Sequence, residues 1–191
     1  MTSRSLRRSG GVSDAIAQPA PRLSAGVATD SFESLYRKTF PRVYGYVASL
    51  VRDRAAAEDV TAQVFERAYR RRRSFRASRG THEAWLFGIA RNAALDELRR
   101  RKRRVALEAE PADDSLAVTP EDQAELALRR ETVRAALAGL SGHERDLVAL
   151  KFAGGLSNAE IARVLGTSES NVGTRLHRTI EKLRRACNGT A

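Results

Sequence analysis

The chain has 191 residues, enough for one ordinary domain or two small ones, which excludes a large multidomain enzyme. Its 34 Lys and Arg against 23 Asp and Glu leave a formal net charge of +11, a bias toward polyanionic partners such as nucleic acid or acidic lipid headgroups. Uncharged stretches such as 84–90 and 135–140 fall far short of the roughly 18 to 20 apolar residues that a bilayer span requires, so the chain reads as soluble with no membrane insertion.

Cys187 is the single cysteine and cannot form an internal disulfide, which fits a reducing, cytoplasmic setting. Arg4, Arg7 and Arg8 are followed by Ser, Gly, Ala and Pro rather than by an apolar run, so neither a signal peptide nor a twin-arginine export signal is expected. Charge divides the remainder. Residues 29–104 carry 19 basic and nine acidic side chains, residues 105–127 none and seven, and residues 128–191 eleven and six. Two basic modules thus flank an acidic connector containing Glu108, Glu110, Asp113, Asp114, Glu121, Asp122 and Glu125. Ten of the eleven aromatics lie between Phe32 and Phe87, leaving the second module to build its core from Leu, Ile, Val and Ala.

Residues 1–28 lack any apolar period and are expected to be disordered. From there on the apolar spacing is helical, and nothing of useful length alternates with period two, so the fold class is all-α. Asp30 and Glu33 are spaced as a capping box for a helix burying Phe32, Leu35, Tyr36, Phe40, Val43, Tyr44, Val47, Leu50 and Val51, which Pro41 should kink or divide. A second helix opens near Asp53 and buries Ala57, Val60, Val64, Phe65 and Ala68. The Arg-, Ser- and Gly-rich stretch 70–81 must contain a turn. A third helix from about Glu83 buries Trp85, Leu86, Ile89, Ala90, Ala93 and Leu98 and ends in the basic run Arg99 to Arg104.

After the connector, Thr119-Pro120-Glu121 is spaced as a helix start, continued by Leu126, Val133, Leu137 and Leu140. Two capping boxes follow, Ser141 with Glu144 and Ser157 with Glu160, each ahead of a short apolar-periodic run. From Leu156 to Leu183 the pattern reads as a helix-turn-helix. Ile161, Ala162 and Leu165 line the first helix, Gly166 permits the turn, Ser168 caps the second helix, and Val172, Leu176, Ile180 and Leu183 are its buried stripe. That stripe leaves Glu169, Ser170, Asn171, Thr174, Arg175 and Arg178 outside, the part of such a helix that enters the major groove. A plain helical hairpin with a solvated face has the same stripe; Arg175 and Arg178 beside Ser, Asn and Thr in so basic a chain favour DNA.

The first module carries a second signal, in which Arg70 to Arg73, Arg76, Arg79, Arg91 and Arg99 to Arg104 are interleaved with Tyr69, Phe75, Trp85 and Phe87. Cations neutralise phosphates while aromatics stack on unpaired bases, a composition suited to single strands or opened duplex. Most of these aromatics, Trp85 included, read as core; Phe75 is the exception, because it sits in the loop.

Four stretches in order resemble the alternative sigma factors of bacterial RNA polymerase, of the extracytoplasmic-function (ECF) type: 32–36 (Phe-Glu-Ser-Leu-Tyr), 57–65 (Ala-Glu-Asp-Val-Thr-Ala-Gln-Val-Phe), 85–92 (Trp-Leu-Phe-Gly-Ile-Ala-Arg-Asn) and 156–178. The resemblance implies a monomeric promoter-recognition subunit without catalytic residues, metal or cofactor. Residues 29–104 would be sigma domain 2, 105–127 an acidic linker threading the polymerase cleft, and 128–191 sigma domain 4. It further implies a contact to the clamp of the β′ subunit through Asp59, Gln63 and Glu66, with domain 4 on the β flap. Recognition and melting of the −10 element would fall to Phe75 and Asn92 as a base pocket, with Arg76, Arg91 and Arg99 on the strand. Reading of the −35 element would fall to Ser170, Asn171, Thr174 and Arg175, with Arg178 on phosphate. Control by an anti-sigma factor is usual in the family, and the residues leave open whether this chain has one. Where the family commonly has Gly-Thr-Val-Lys-Ser-Arg, this chain has Ser-Asn-Val-Gly-Thr-Arg at 170–175, which puts the promoter sequence in question but not the binding mode.

Other classes fit less well. The chain has no phosphate-cradling glycine loop and no His-Glu-x-x-His, and His82, His143 and His177 are far apart. A stand-alone helix-turn-helix regulator would share the second module but need a ligand or dimerisation domain in place of the first. A membrane-surface patch would need a Trp, Phe and Leu face that the basic run lacks.

Overall fold

A computed structural model describes residues 24–107 and 124–188, with side chains over 32–104 and 130–188. The described residues form α-helices and two single 3₁₀ turns. Helices α1 (Ser24–Val51), α2 (Arg54–Arg71) and α3 (His82–Leu107) make the first bundle, with the 3₁₀ turns Arg72–Ser74 and Ala77–Arg79 between α2 and α3. Helices α4 (Ala124–Ala138), α5 (Gly142–Phe152), α6 (Asn158–Leu165) and α7 (Glu169–Asn188) make the second. No described helix is long and apolar enough to cross a membrane.

Helix α1 starts earlier than the spacing of Asp30 and Glu33 suggests, so Asp30 lies within it and residues 24–28, expected to be disordered, are helical. Residues 1–23, the acidic stretch 108–123 and the expected start at Thr119-Pro120 lie outside the described residues. Pro41 does not divide α1. Its missing N–H frees one carbonyl on the exposed side of the helix, where Arg37 and Pro41 both face water. Helix α2 is capped by Asp53, whose carboxylate accepts from the Ala56 N–H at 2.8 Å. The same carboxylate is braced by Arg101 at 2.6 Å, while Arg101 also donates to the Val51 carbonyl at 2.8 Å. One residue of the basic run is therefore a structural tie between α3 and the α1–α2 corner.

Ala57, Val60, Val64, Phe65 and Ala68 of α2 are buried as the spacing requires, against Val43, Tyr46, Val47, Leu50 and Val51 of α1 and Leu86, Ala90 and Ala93 of α3. Phe87 is buried as expected of an aromatic in this stretch, and Ala84 and Ala94 join the core although the apolar pattern does not single them out. Tyr36 and Phe40 are exposed beyond a third, and Trp85, Ile89 and Leu98 are half-buried. In the second bundle, Leu140, Leu147, Leu150, Leu156, Ile161, Val172 and Leu176 supply an aliphatic core. Phe152, its lone aromatic, is 65% exposed, and Val133, expected inside, is 49% exposed. The side chain of Leu126 lies outside the described residues.

Both sequence-level capping boxes are present with both reciprocal hydrogen bonds, starting α5 at Ser141 and α6 at Ser157. Lys182 of α7 adds an ion pair to Glu144 at 2.9 Å, so one carboxylate caps α5 and ties it to α7. That Lys182 hydrogen bond, followed by those from Ser141, lowers the Glu144 pKa to about 2. The two bundles share one continuous apolar cluster, with α3 against α6 and α1 against α5. A Cβ on Gly154 would stand 2.6 Å from the carbonyl oxygen of Leu150 in its own bundle and 3.0 Å from Cε1 of Phe87 across the interface, so glycine suits both the turn after α5 and the close packing of Phe87.

Two stability measurements follow. Glu144 has a depressed folded-state pKa, so its contribution is complete above the unfolded value near 4.5 and is lost as pH falls toward 2. Thermal melting of Lys182→Ala should therefore lose part of its stability at neutral pH and fall less steeply than the parent between these pH values. Gly173 is interior to α7, and a Cβ there would meet nothing nearer than the Asn158 amide at 3.9 Å. Gly173→Ala should raise stability by about 0.5–1 kcal/mol, read as a higher denaturant midpoint with an unchanged m-value.

Candidate nucleic-acid interface

The helix-turn-helix is built by local chemistry. Gly166 ends α6 in the left-handed conformation (φ 66°), and the Gly166 and Thr167 N–H groups both donate to the Ala162 carbonyl. Ser168 then caps α7 by accepting from the Asn171 N–H at 3.2 Å. Helix α7 buries Val172, Leu176 and Thr179, with Ile180 and Leu183 half-buried. Glu169, Ser170, Asn171, Thr174 and Arg178 are left exposed and Arg175 half-buried, all on the outer side. The Asn171 amide donates to Thr167 at 2.8 Å and the Thr174 hydroxyl to the Ser170 carbonyl at 3.1 Å, which fixes both side chains at the surface. The cationic face runs further along α7 than the sequence reading took it. His177, Arg178, Glu181, Lys182 and Arg185 line a shallow groove, a continuation visible in the i, i+4, i+8 spacing of 177, 181 and 185.

In the first bundle, the 3₁₀ turns and the start of α3 enclose a pocket of about 490 Å³ lined by Ser74, Phe75, Arg76, Arg79, Thr81, Trp85, Gly88 and Asn92, with Arg163 and Val164 from α6. Phe75 stacks on His82 with centroids 3.5 Å apart and meets Trp85 edge-on at 5.9 Å. Trp85, read from the sequence as core, is half-buried and forms pocket wall. It packs on the core with one side only, because the loop between α2 and α3 folds over α3 at its other side. Phe75, Arg76 and Asn92 thus lie together. Arg99 stands apart, exposed and paired with Asp96 at 2.9 Å.

Arg91 is directed elsewhere. Its Nε donates to Oδ2 of Asp146 on α5 at 2.7 Å, and Oδ1 of the same carboxylate accepts from the Tyr46 hydroxyl at 2.8 Å. Burial, and then the adjacent Asp146 charge, push the Tyr46 hydroxyl well above its ordinary pKa, with Arg91 opposing. Around this triad, Arg42 donates from Nε to the Gly154 carbonyl at 2.9 Å and from Nη1 to Glu83 at 2.7 Å, where Lys38 also binds. The Thr81 hydroxyl donates to Glu160 at 2.7 Å. Desolvation opposes ionisation of Glu83, but hydrogen bonds from Lys38 and Arg42 outweigh it and hold its pKa below the usual range. Glu160 behaves the same way, its desolvation outweighed by hydrogen bonds from the Ser157 N–H, Thr81 and the Ser157 hydroxyl. None of this web was legible from apolar spacing, since it joins positions up to 112 residues apart.

On the outer face of α2, Asp59 and Glu66 are exposed and Gln63 is half-buried, with Glu66 paired to Arg70 at 2.6 Å. No three His, Cys, Asp or Glu side chains among the described residues converge in a way that could hold a metal ion.

Two family models match the chain, Sigma-70 region 2 over residues 35–104 and Sigma-70 region 4 over residues 130–183. The ECF RNA polymerase sigma factor BldN of Streptomyces coelicolor is 34% identical over 166 residues, 86% of this chain, which spans 62% of that relative's length. The ECF RNA polymerase sigma factor SigK of Mycobacterium ulcerans is 31% identical over 162 residues, covering 81% of this chain and 84% of that one. Among solved structures, the sigma factor RpoE in complex with the anti-sigma factor NepR from Bartonella quintana superposes with a TM-score of 0.70 at 25% identity, covering 83% of this chain and 98% of that one. CnrH in complex with the cytosolic domain of CnrY shares the fold, with a TM-score of 0.64 at 23% identity, covering 87% and 96%. Two matched regions in the family's order, on an all-α fold shared with these structures, place the chain among the ECF sigma factors of RNA polymerase.

Proposed function

We propose that this chain binds core RNA polymerase, directs it to specific promoters and opens the DNA there, acting by binding rather than by catalysis. The observation that carries this reading is the presence, in one chain, of two different nucleic-acid surfaces. One is a recognition helix with a polar, cationic outer face; the other is an aromatic and arginine-lined pocket holding Phe75, Trp85 and Asn92. A duplex reader needs only the first. The second suits an unstacked base, whose capture offsets an unpairing cost of a few kcal/mol without ATP.

In this reading Asp59, Gln63 and Glu66 meet the β′ clamp, and the second bundle rests on the β flap. Residues 29–104 serve as domain 2 and 128–191 as domain 4, joined by the acidic stretch 105–127. Phe75 and Asn92 receive a nontemplate base of the −10 element, while Arg76, Arg91 and Arg99 hold the strand. Ser170, Asn171, Thr174 and Arg175 read the −35 element, with Arg178 on phosphate. The solved structure of RpoE pairs that sigma factor with an anti-sigma factor, so an anti-sigma factor is a natural partner here as well.

The decisive test mixes the purified chain with bacterial core polymerase and follows co-elution, then transcription from a panel of upstream fragments. Co-elution with promoter-dependent transcripts is expected. Failure to bind core, together with tight salt-sensitive DNA binding by the chain alone, would leave a stand-alone helix-turn-helix regulator instead. On an identified promoter, Arg175→Ala should cost about 1–3 kcal/mol at one −35 position and relax its specificity. Arg178→Ala should weaken all sequences alike and reduce the salt slope by about one.

A further inference from the structure

The pocket beside the 3₁₀ turns carries more positive charge than one unstacked base requires. Arg76 and Arg79 line it from the loop and Arg163 from α6, and none of these three guanidinium groups has an ion pair or hydrogen-bond partner among the described residues. Arg42, Arg91 and Arg101 differ in this respect, each being held by a carboxylate. No Asp or Glu among the described residues lines the pocket. Arg163 lies along the loop backbone, because a Cβ on Gly80 would stand 3.0 Å from its Cδ and 3.6 Å from its Nη1. We propose that this pocket binds a free nucleoside di- or triphosphate, with the polyphosphate among Arg76, Arg79 and Arg163 and the base against Trp85 and Asn92. The inference goes beyond the sigma-factor reading. It gives a role to Arg163, which that reading leaves without one, and it makes free nucleotide and promoter strand competitors for Trp85 and Asn92.

Size, order and charge all suit such a ligand. The volume, about 490 Å³, falls in the roughly 300–1,000 Å³ range of small-molecule sites. Phe75 is held by its stack on His82 at 3.5 Å and by its edge contact with Trp85 at 5.9 Å, so the aromatic wall is formed before any ligand arrives and little side-chain freedom is lost on binding. Guanidinium forks take phosphate oxygens through paired hydrogen bonds. A strand brings one negative charge per nucleotide, whereas a polyphosphate chain brings several into one chamber, which is what three arginines around a single nucleotide-sized space match. An adenine base suits Asn92, whose amide offers a donor and an acceptor to the N6 and N7 edge.

Trp85 is the only tryptophan of the chain, so intrinsic fluorescence reports on this pocket directly. Titrating the full chain with ATP should give a saturable change in emission, with adenosine or inorganic tripolyphosphate alone binding at least about tenfold more weakly. Arg163→Ala should weaken ATP binding about tenfold, the loss of one charge-assisted phosphate contact. Arg130→Ala, an exposed arginine of α4 away from the pocket, should bind ATP like the parent, and both variants should melt with the parent. Absence of a saturable response to ATP, or a response that Arg163→Ala leaves unaltered, would overturn the proposal. So would tripolyphosphate binding as tightly as ATP, since the site would then respond to charge alone. Promoter-dependent transcription with core polymerase scores the sigma-factor reading separately. A chain that transcribes with core but ignores ATP keeps that reading and loses this one, and a chain that binds ATP but never transcribes with core does the reverse.

Discussion

Asp146 is the group around which the two bundles are arranged. A carboxylate removed from water needs its lone pairs satisfied and its charge matched, and Tyr46 of α1 and Arg91 of α3 do both. Because α5 must present Asp146 to two helices at once, its position is set within hydrogen-bond tolerance. Apolar packing of Phe87 on Gly154 and the Arg42 bond to the Gly154 carbonyl then follow from that register. Hydrophobic burial supplies attraction across this interface but little direction. The buried polar triad selects one arrangement among the several that aliphatic surfaces would tolerate.

The same economy runs through the caps. Glu144 and Glu160 each complete a capping box, a purely local task, and each also makes a contact with a distant element. Glu144 holds Lys182 of α7, and Glu160 takes the Thr81 hydroxyl from the rim of the pocket between α2 and α3. In small bundles with modest cores this matters, because a side chain already ordered by its cap loses little further entropy when it makes a second bond. Helix boundaries and tertiary contacts are consequently coupled, and loosening one loosens the other.

The candidate DNA surfaces were legible to different degrees for a physical reason. In the recognition helix, one turn of sequence determines which residues share a face, so Ser170, Asn171, Thr174 and Arg178 could be placed outside from spacing alone. In the pocket between α2 and α3, position depends on how a loop with no period folds over α3. Phe75 is recognisable as a loop aromatic, but Trp85 reads as core because its helical spacing is apolar, and only the fold of the loop beside it makes it a pocket wall. Arg91 looked from sequence like any other member of a basic series. Its partner lies 55 residues away, and no local pattern encodes that distance.

By itself the sequence determined what rests on neighbours three or four residues apart: the all-α class, the two capping boxes, the left-handed turn at Gly166 and the polar face of α7. These depend on backbone geometry and short-range hydrogen bonds, which repeat identically in any context. Helix starts and single buried positions were less legible, as Asp30 inside α1 and the exposed Val133 of α4 show. Tertiary structure alone decided that the two basic modules close on each other, that Arg101 braces a corner, and that Asp146 claims Arg91. Those outcomes depend on desolvation and charge pairing between groups far apart in the chain, and burial of a charge is a property of the whole assembly of helices rather than of any one of them.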